Sequence, residues 1–482
     1  MNRSLKQIDR DSCDYVAPLS GTSKPGAPRA IKCLLVSLSV WNFVNRQISN
    51  LSTNFRIGTL AAFTLLFNPA ANGENPSWVW NVEDIAASRS YLAPLEADSA
   101  SAGRVLLLAI EAEDRRLAVL DAPSLRLLAR IPLRSEPVGP PVLSPDGRFA
   151  YTLSPDGWID KCDLRALRHA GAVRAGLEAR GLALSGDGKW LLAALSRPGG
   201  LAAILAQDLT PFRVIPGRDD KGGASEAGAV FAAPARSSFI AALPGISEIW
   251  ELSHDENAEP VYAGMVHSFE KGSEEGVGEA QPFARRRTKT DPVLEGFFFS
   301  PDFVEIGGGT RDGPGGAVYN LDARRRAARL PANLSPRFEA SISIPIKSRR
   351  AILFPMAGSP ELGVLELDSW KILSRLALRA PALFLKQQPN ADLVWASGFS
   401  GKDKDVIQLI DLRSLRAERV FRPFPGKAVG QAIFSADGKT AFVLLTGSEG
   451  GIVAIDTVSL TPVKTLPLKN PVSFVIVLPP PP

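Results

Sequence analysis

The stretch "VLSPDGRFAYTLSPDGWIDKCDL", residues 142–164, states one motif twice: Ser-Pro-Asp-Gly at 144–147 and again at 154–157. Each copy separates two apolar runs. Asp-Gly after an apolar run is a strong hairpin signal, because Gly takes positive φ without a Cβ penalty. The first copy reads as the turn between two antiparallel strands, the second as the turn into a third.

The same line recurs along the chain. Turns stand at "SGDG" (185), "APARSS" (233), "SPD" (300), "IKSRR" (346), "QPNAD" (388) and "SADG" (435). An Asp closes the third strand at Asp121, Asp163, Asp208, Asp322, Asp368, Asp411 and Asp456, mostly about 42 to 46 residues apart. That is the length of one four-stranded propeller blade. The long gap from Asp208 to Asp322 holds a cryptic blade, "FIAALPGISEIWELS", and an insertion at about 266–291. With strands lettered A to D from the axis outwards, the first repeat has B, C and D but no A. The last stretch, "PVSFVIVLP", supplies an A strand and nothing more. The expectation is an all-β, eight-bladed β-propeller over 103–478, its C-terminal strand closing the first blade against Val105–Ile110.

Composition narrows the function. In 482 residues, 45% are hydrophobic, so a large core can form; the net charge of +5 is no nucleic-acid footprint. Cys13, Cys33 and Cys162 make no Cys-x-x-Cys-His and no zinc spacing. His169, His254 and His267 are the only histidines, so no metal site is expected. Residues 1–75 read as an N-terminal extension containing a signal-peptide-like segment at about 54–73: Arg56, the apolar run Ile57–Phe67, then Ala70, Ala71 and Gly73. Residues 76–102 read as a linker. The expected location is the periplasm, with no integral membrane domain.

The motifs "LSPDGRFAYTLSPDGWIDKCDL", "GLALSGDGKWLLAALSRPGGLA" and "FIAALPGISEIWEL", with the order of blades, resemble the eight-bladed haem d1 propellers. These are the d1 domain of cytochrome cd1 nitrite reductase and, more closely, the propeller of haem d1 biosynthesis. The resemblance implies haem d1 or a precursor as cofactor. "GLEAR" (176–180) is similar to a family motif whose Arg binds a haem carboxylate, which makes Arg180 the candidate carboxylate binder. The family places a ligating His just before the A strand of the blade carrying the doubled motif. Here that stretch holds Val138, Gly139 and Pro140, and the distal His positions are also replaced. The resemblance therefore implies a macrocycle held without the usual ligands.

Independently of the family, D-to-A connectors gather around one mouth of a propeller. These connectors carry Arg134, Arg180, Arg218, Arg285 to Arg287, Arg337, Arg379, Lys427 and Lys469. Such a mouth suits an anionic tetrapyrrole or another small anion. The insertion reads as a further D-to-A connector, which would bring His267 and Arg285–Arg287 over the same mouth. His169 and His254 read as surface residues, Cys162 as a packing residue, and the tryptophans at 190, 250, 370 and 395 as core. Two functions stand open: a periplasmic d1-type propeller that binds or processes a haem d1-like tetrapyrrole, or a haem-free propeller serving as platform for a periplasmic partner such as a dehydrogenase.

Overall fold

A computed structural model of the chain describes residues 80–93, 103–267, 274–310, 315–331, 334, 336, 340–346, 349–398 and 401–478. Eight antiparallel sheets, each with strand order A-B-C-D, form the ring, and the inner strands touch in succession from blade 6 round through blades 8 and 1 to blade 4. Blade 1 is closed by the C-terminal strand: Pro471–Val477 pairs antiparallel with Leu106–Glu111, from Leu106 opposite Val477 to Glu111 opposite Pro471. The ring therefore has no open inner edge there.

The doubled motif acts as expected. The first copy joins strands A and B of blade 2 (Val138–Leu143 and Phe149–Leu153), and the second joins B to C (Trp158–Asp163). In each, the Ser hydroxyl donates to the Asp carboxylate two residues on: Ser144 to Asp146 at 2.6 Å, and Ser154 to Asp156 at 2.5 Å. Ser185–Asp187, Ser300–Asp302 and Ser435–Asp437 repeat the device in blades 3, 5 and 8. Strand-closing aspartates such as Asp163, Asp411 and Asp456 have an equally local role, whereas Asp322 and Asp368 accept from Arg236 and Arg350. Asp163 accepts from the Arg165 and Ala166 amides, Asp411 from Arg413 and Ser414, and Asp456 from Val458 and Ser459. Each carboxylate holds the C-to-D turn as an Asx turn.

The core lies between sheets rather than on the axis. Leu107, Phe442, Ile452 and Phe474 pack blade 8 on blade 1, and Trp190, Trp250, Phe239 and Phe283 pack blade 3 on blade 4. Trp395 is also buried in a strand, whereas Trp370 sits at positive φ in the C-to-D turn of blade 6. Cys162 is fully buried, and burial pushes its thiol well up, as a packing residue requires.

Three expectations are corrected. First, part of the stretch read as a linker is structured. Helix α1 (Val82–Ser88) starts at an Asn81–Asp84 capping box and buries Ile85, and Ser90–Tyr91 adds a fifth strand to the outer edge of blade 2. Secondly, the insertion is not a D-to-A connector. It leaves strand C of blade 4 (Glu248–Ser253), forms a two-stranded ribbon (Tyr262–His267 with Glu274–Gly278), and returns as strand D, Arg285–Lys289. In a meander the C-to-D connection leaves at the end opposite to the D-to-A connector, so the insertion belongs to the other face. Thirdly, His254 is not a surface residue; its side chain is only 7% exposed. The signal-peptide-like segment lies outside the described residues. No described helix is long and apolar enough to cross a membrane.

Candidate functional site

The mouth is built from D-to-A connectors and B-to-C turns, which share one face. Between blades 2 and 3 the two are interlocked. The second Ser-Pro-Asp-Gly turn receives amide hydrogen bonds from Ala175, to the Gly157 carbonyl, and from Ala179, to the Pro155 carbonyl. Gly157 has φ +85°, and a Cβ there would stand 2.1 Å from the Gly176 carbonyl oxygen. Only glycine lets the turn approach the connector this closely. The motif thus fixes the segment that delivers Arg180.

Arg180 lies on the inner strand of blade 3, Glu178–Leu184. Its Nη2 is 3.0 Å from Oε2 of Glu226, and both side chains are about 30% exposed. Beside it Arg197, the last residue of strand B, pairs with Glu178. Arg134 lies in the connector before blade 2, its guanidinium 4.3 Å from the Trp158 ring centre. Lys427 pairs with Glu449 at 3.3 Å, Lys469 with Asp114 at 2.7 Å, and Arg379 approaches Asp403 at 3.9 Å. Arg218 is exposed in the connector before blade 4. At Arg180, Arg197, Lys427 and Lys469 an anionic ligand must therefore compete with resident carboxylates.

The insertion's residues do not join these cations as connector residues. Arg285 and Arg286 sit on outer strand D, Arg285 paired with Glu279 at 2.8 Å and Arg286 3.8 Å from Glu251. Arg287, on the same strand, reaches a connector carboxylate, Asp220, at 2.7 Å. His267 ends the first strand of the ribbon, on the C-to-D side. Arg337 lies outside the described residues.

The other histidines are no nearer the axis. His169 is on outer strand D of blade 2, 2.7 Å from Asp160. His254 follows strand C of blade 4 and borders a cleft of about 620 Å³ on the opposite face, with Asp187, Lys189 and Glu256. Burial lowers its pKa, partly opposed by Asp187. Among the described residues no group of three or more His, Cys, Asp or Glu is arranged to hold a metal.

One inner-strand residue escaped the sequence reading. Phe231, on strand A of blade 4 (Ala229–Ala233), is 38% exposed beside buried Val230. "AVFAAP" reads as an ordinary apolar strand, and only closure of the ring shows which of its side chains is left facing out. Glu226, the partner of Arg180, carried no signal either.

The cytochrome D1 heme domain family matches residues 101–269 and 310–477. Dihydro-heme d1 dehydrogenase of Pseudomonas aeruginosa is 33% identical over 401 residues, 81% of this chain and 76% of that protein. Protein NirF of Stutzerimonas stutzeri is 26% identical over 336 residues, 68% of this chain and 80% of that protein. Among solved structures, dihydro-heme d1 dehydrogenase NirN in complex with DHE superposes with a TM-score of 0.73 at 33% identity, covering 84% of this chain and 83% of that one. With more than half its length matched, the chain belongs to the cytochrome D1 heme domain family.

Proposed function

We propose that this propeller binds a haem d1-like tetrapyrrole at the D-to-A mouth and serves haem d1 biosynthesis in the periplasm. The observation that carries the reading is the delivery of Arg180 to the innermost strand by a connector locked under Gly157. A guanidinium binds a carboxylate through two parallel N–H donors, a geometry a lysine lacks. The similar structure is a complex with DHE, which supports the same ligand class.

The residues fit the acidic periphery of such a ring. His169 is on an outer strand, His254 borders the opposite face and His267 ends a strand on the C-to-D side, a placement that supports a ring held without a histidine ligand. We therefore assign the chain binding and orientation of the ring through Arg180. A second reading rests on the pairing at Glu226, Glu449 and Asp114, which offsets the mouth's cations. In that reading the propeller carries no haem and is a platform for a periplasmic partner protein.

An absorbance titration with haem d1 and with its dihydro precursor separates the two. Saturable binding by wild type, weakened by Arg180→Ala and unchanged by His267→Ala, is the expected result. No binding of either compound leaves the platform reading.

A further inference from the structure

We propose that Phe231 is the surface against which the flat face of the macrocycle rests, an inference that deepens the tetrapyrrole reading and depends on it. Phe231 pairs with Ile240 across blade 4 and is a large apolar side chain left exposed on an innermost strand. Its ring is braced from blade 5. Phe297 lies 5.0 Å away between ring centres at 70°, and Phe299 lies 6.3 Å away at 82°. Phe297 and Phe299 meet at 5.7 Å and 84°, and Phe303 backs Phe299 at 5.0 Å. Edge-to-face contacts of this kind fix ring orientation. The exposed ring has therefore lost its rotamer freedom before any ligand arrives, which lowers the entropic cost of binding.

Its placement relative to Arg180 gives the ledge its selectivity. A Cβ on Gly181 would lie 3.4 Å from Val230 Cγ1, so the inner strands of blades 3 and 4 meet at that pair. Both strands run from the mouth inwards. Arg180 is one residue above the contact, at a bulge, and Phe231 is one residue below it, on the side of blade 4 that faces blade 5, up to about 7 Å lower along the axis. A cation at the rim and an aromatic face one step deeper suit a planar conjugated ring carrying a carboxylate. The acid meets Arg180 while the ring meets Phe231. A small anion without a ring would engage Arg180 alone.

The test uses haem d1 as probe, followed by absorbance and by circular dichroism in the Soret band, with melting temperature as the folding control. Phe231→Ala should weaken binding about tenfold and diminish the induced dichroism. Phe231→Tyr should behave as wild type, and Phe231→Leu should fall between. Should the Ala variant not fold, the Tyr and Leu pair decides by the same readouts. If the Ala variant, or the Leu variant in its place, binds with wild-type affinity and dichroism while Arg180→Ala loses affinity, the ledge is wrong and the tetrapyrrole reading stands. If wild type binds no haem d1, both fall.

Discussion

Arg180 and Glu226 hold each other at the mouth of the propeller, guanidinium to carboxylate at 3.0 Å, on the inner strand of blade 3 and in the connector to blade 4. An acid built into the chain occupies the donor that an acidic ligand would need. Removing it should therefore strengthen binding. Glu226→Gln is expected to tighten haem d1 by about two- to fivefold, the worth of a partly exposed pair. Arg180→Ala should weaken it by about ten- to a hundredfold. Isothermal titration of the three proteins checks both, and weaker binding by Glu226→Gln would show that the pair positions Arg180 rather than competes for it.

Gly157 and Gly147 occupy equivalent places in the two copies of one motif, but their surroundings differ. A Cβ at Gly157 meets the Gly176 backbone at 2.1 Å, whereas at Gly147 the nearest atom is Val477 Cγ1 at 3.2 Å. Gly157→Ala should push the connector away and cost both stability and ligand affinity. Gly147→Ala should cost about 1 kcal/mol of backbone strain and leave affinity unchanged. Chemical denaturation alongside ligand titration distinguishes the two effects.

Phe474 is fully buried between the first and last blades, packed with Leu107 and Ile452. Phe474→Ala should destabilise the ring by about 3–5 kcal/mol. The outer-strand change Val463→Ala, at a side chain 70% exposed, should stay within about 0.5 kcal/mol. Guanidinium unfolding midpoints measure both.

Lys161 is buried, with its Nζ donating to the carbonyls of Ala206 and Gln207 and lying 3.9 Å from the Phe149 ring centre. Burial pushes its pKa down to about 8 from 10.5. Below pH 8 the folded and unfolded chains both hold the proton. Between about pH 8 and 10.5 the folded chain releases it and the unfolded chain keeps it, so stability rises with pH. The gain from pH 7 to pH 9 should be about 1 kcal/mol, and Lys161→Met should abolish this component. A flat difference between the two proteins across that range would refute the assignment.

The blade repeat, the closing strand and the role of the doubled motif were legible because they rest on local chemistry: Asp-Gly turns, apolar runs, and a missing strand at one end matched by an orphan at the other. What was misplaced lay where that chemistry is silent. Strand Arg285–Lys289 reads "RRRTK" because an outer strand faces solvent and needs no apolar alternation, so it passed for a polar connector and carried His267 to the wrong face. Helix α1 is a single short amphipathic stretch whose one fully buried residue, Ile85, gives little periodicity to detect. The Arg180–Glu226 pair and the exposure of Phe231 are properties of neighbouring blades, set by ring closure and invisible to any one repeat.

Closure through Leu106 and Val477 also sets an order of events in folding. The first blade lacks its innermost strand until the C-terminal strand has joined it, so the ring cannot be completed one blade at a time from the N-terminal side. Because the two strands are neighbours in space, the circle has no privileged starting point. A gene rearranged to begin at another D-to-A connector, with the present closing strand joined to Leu106 by a short link, would code for the same ring with a different blade left waiting.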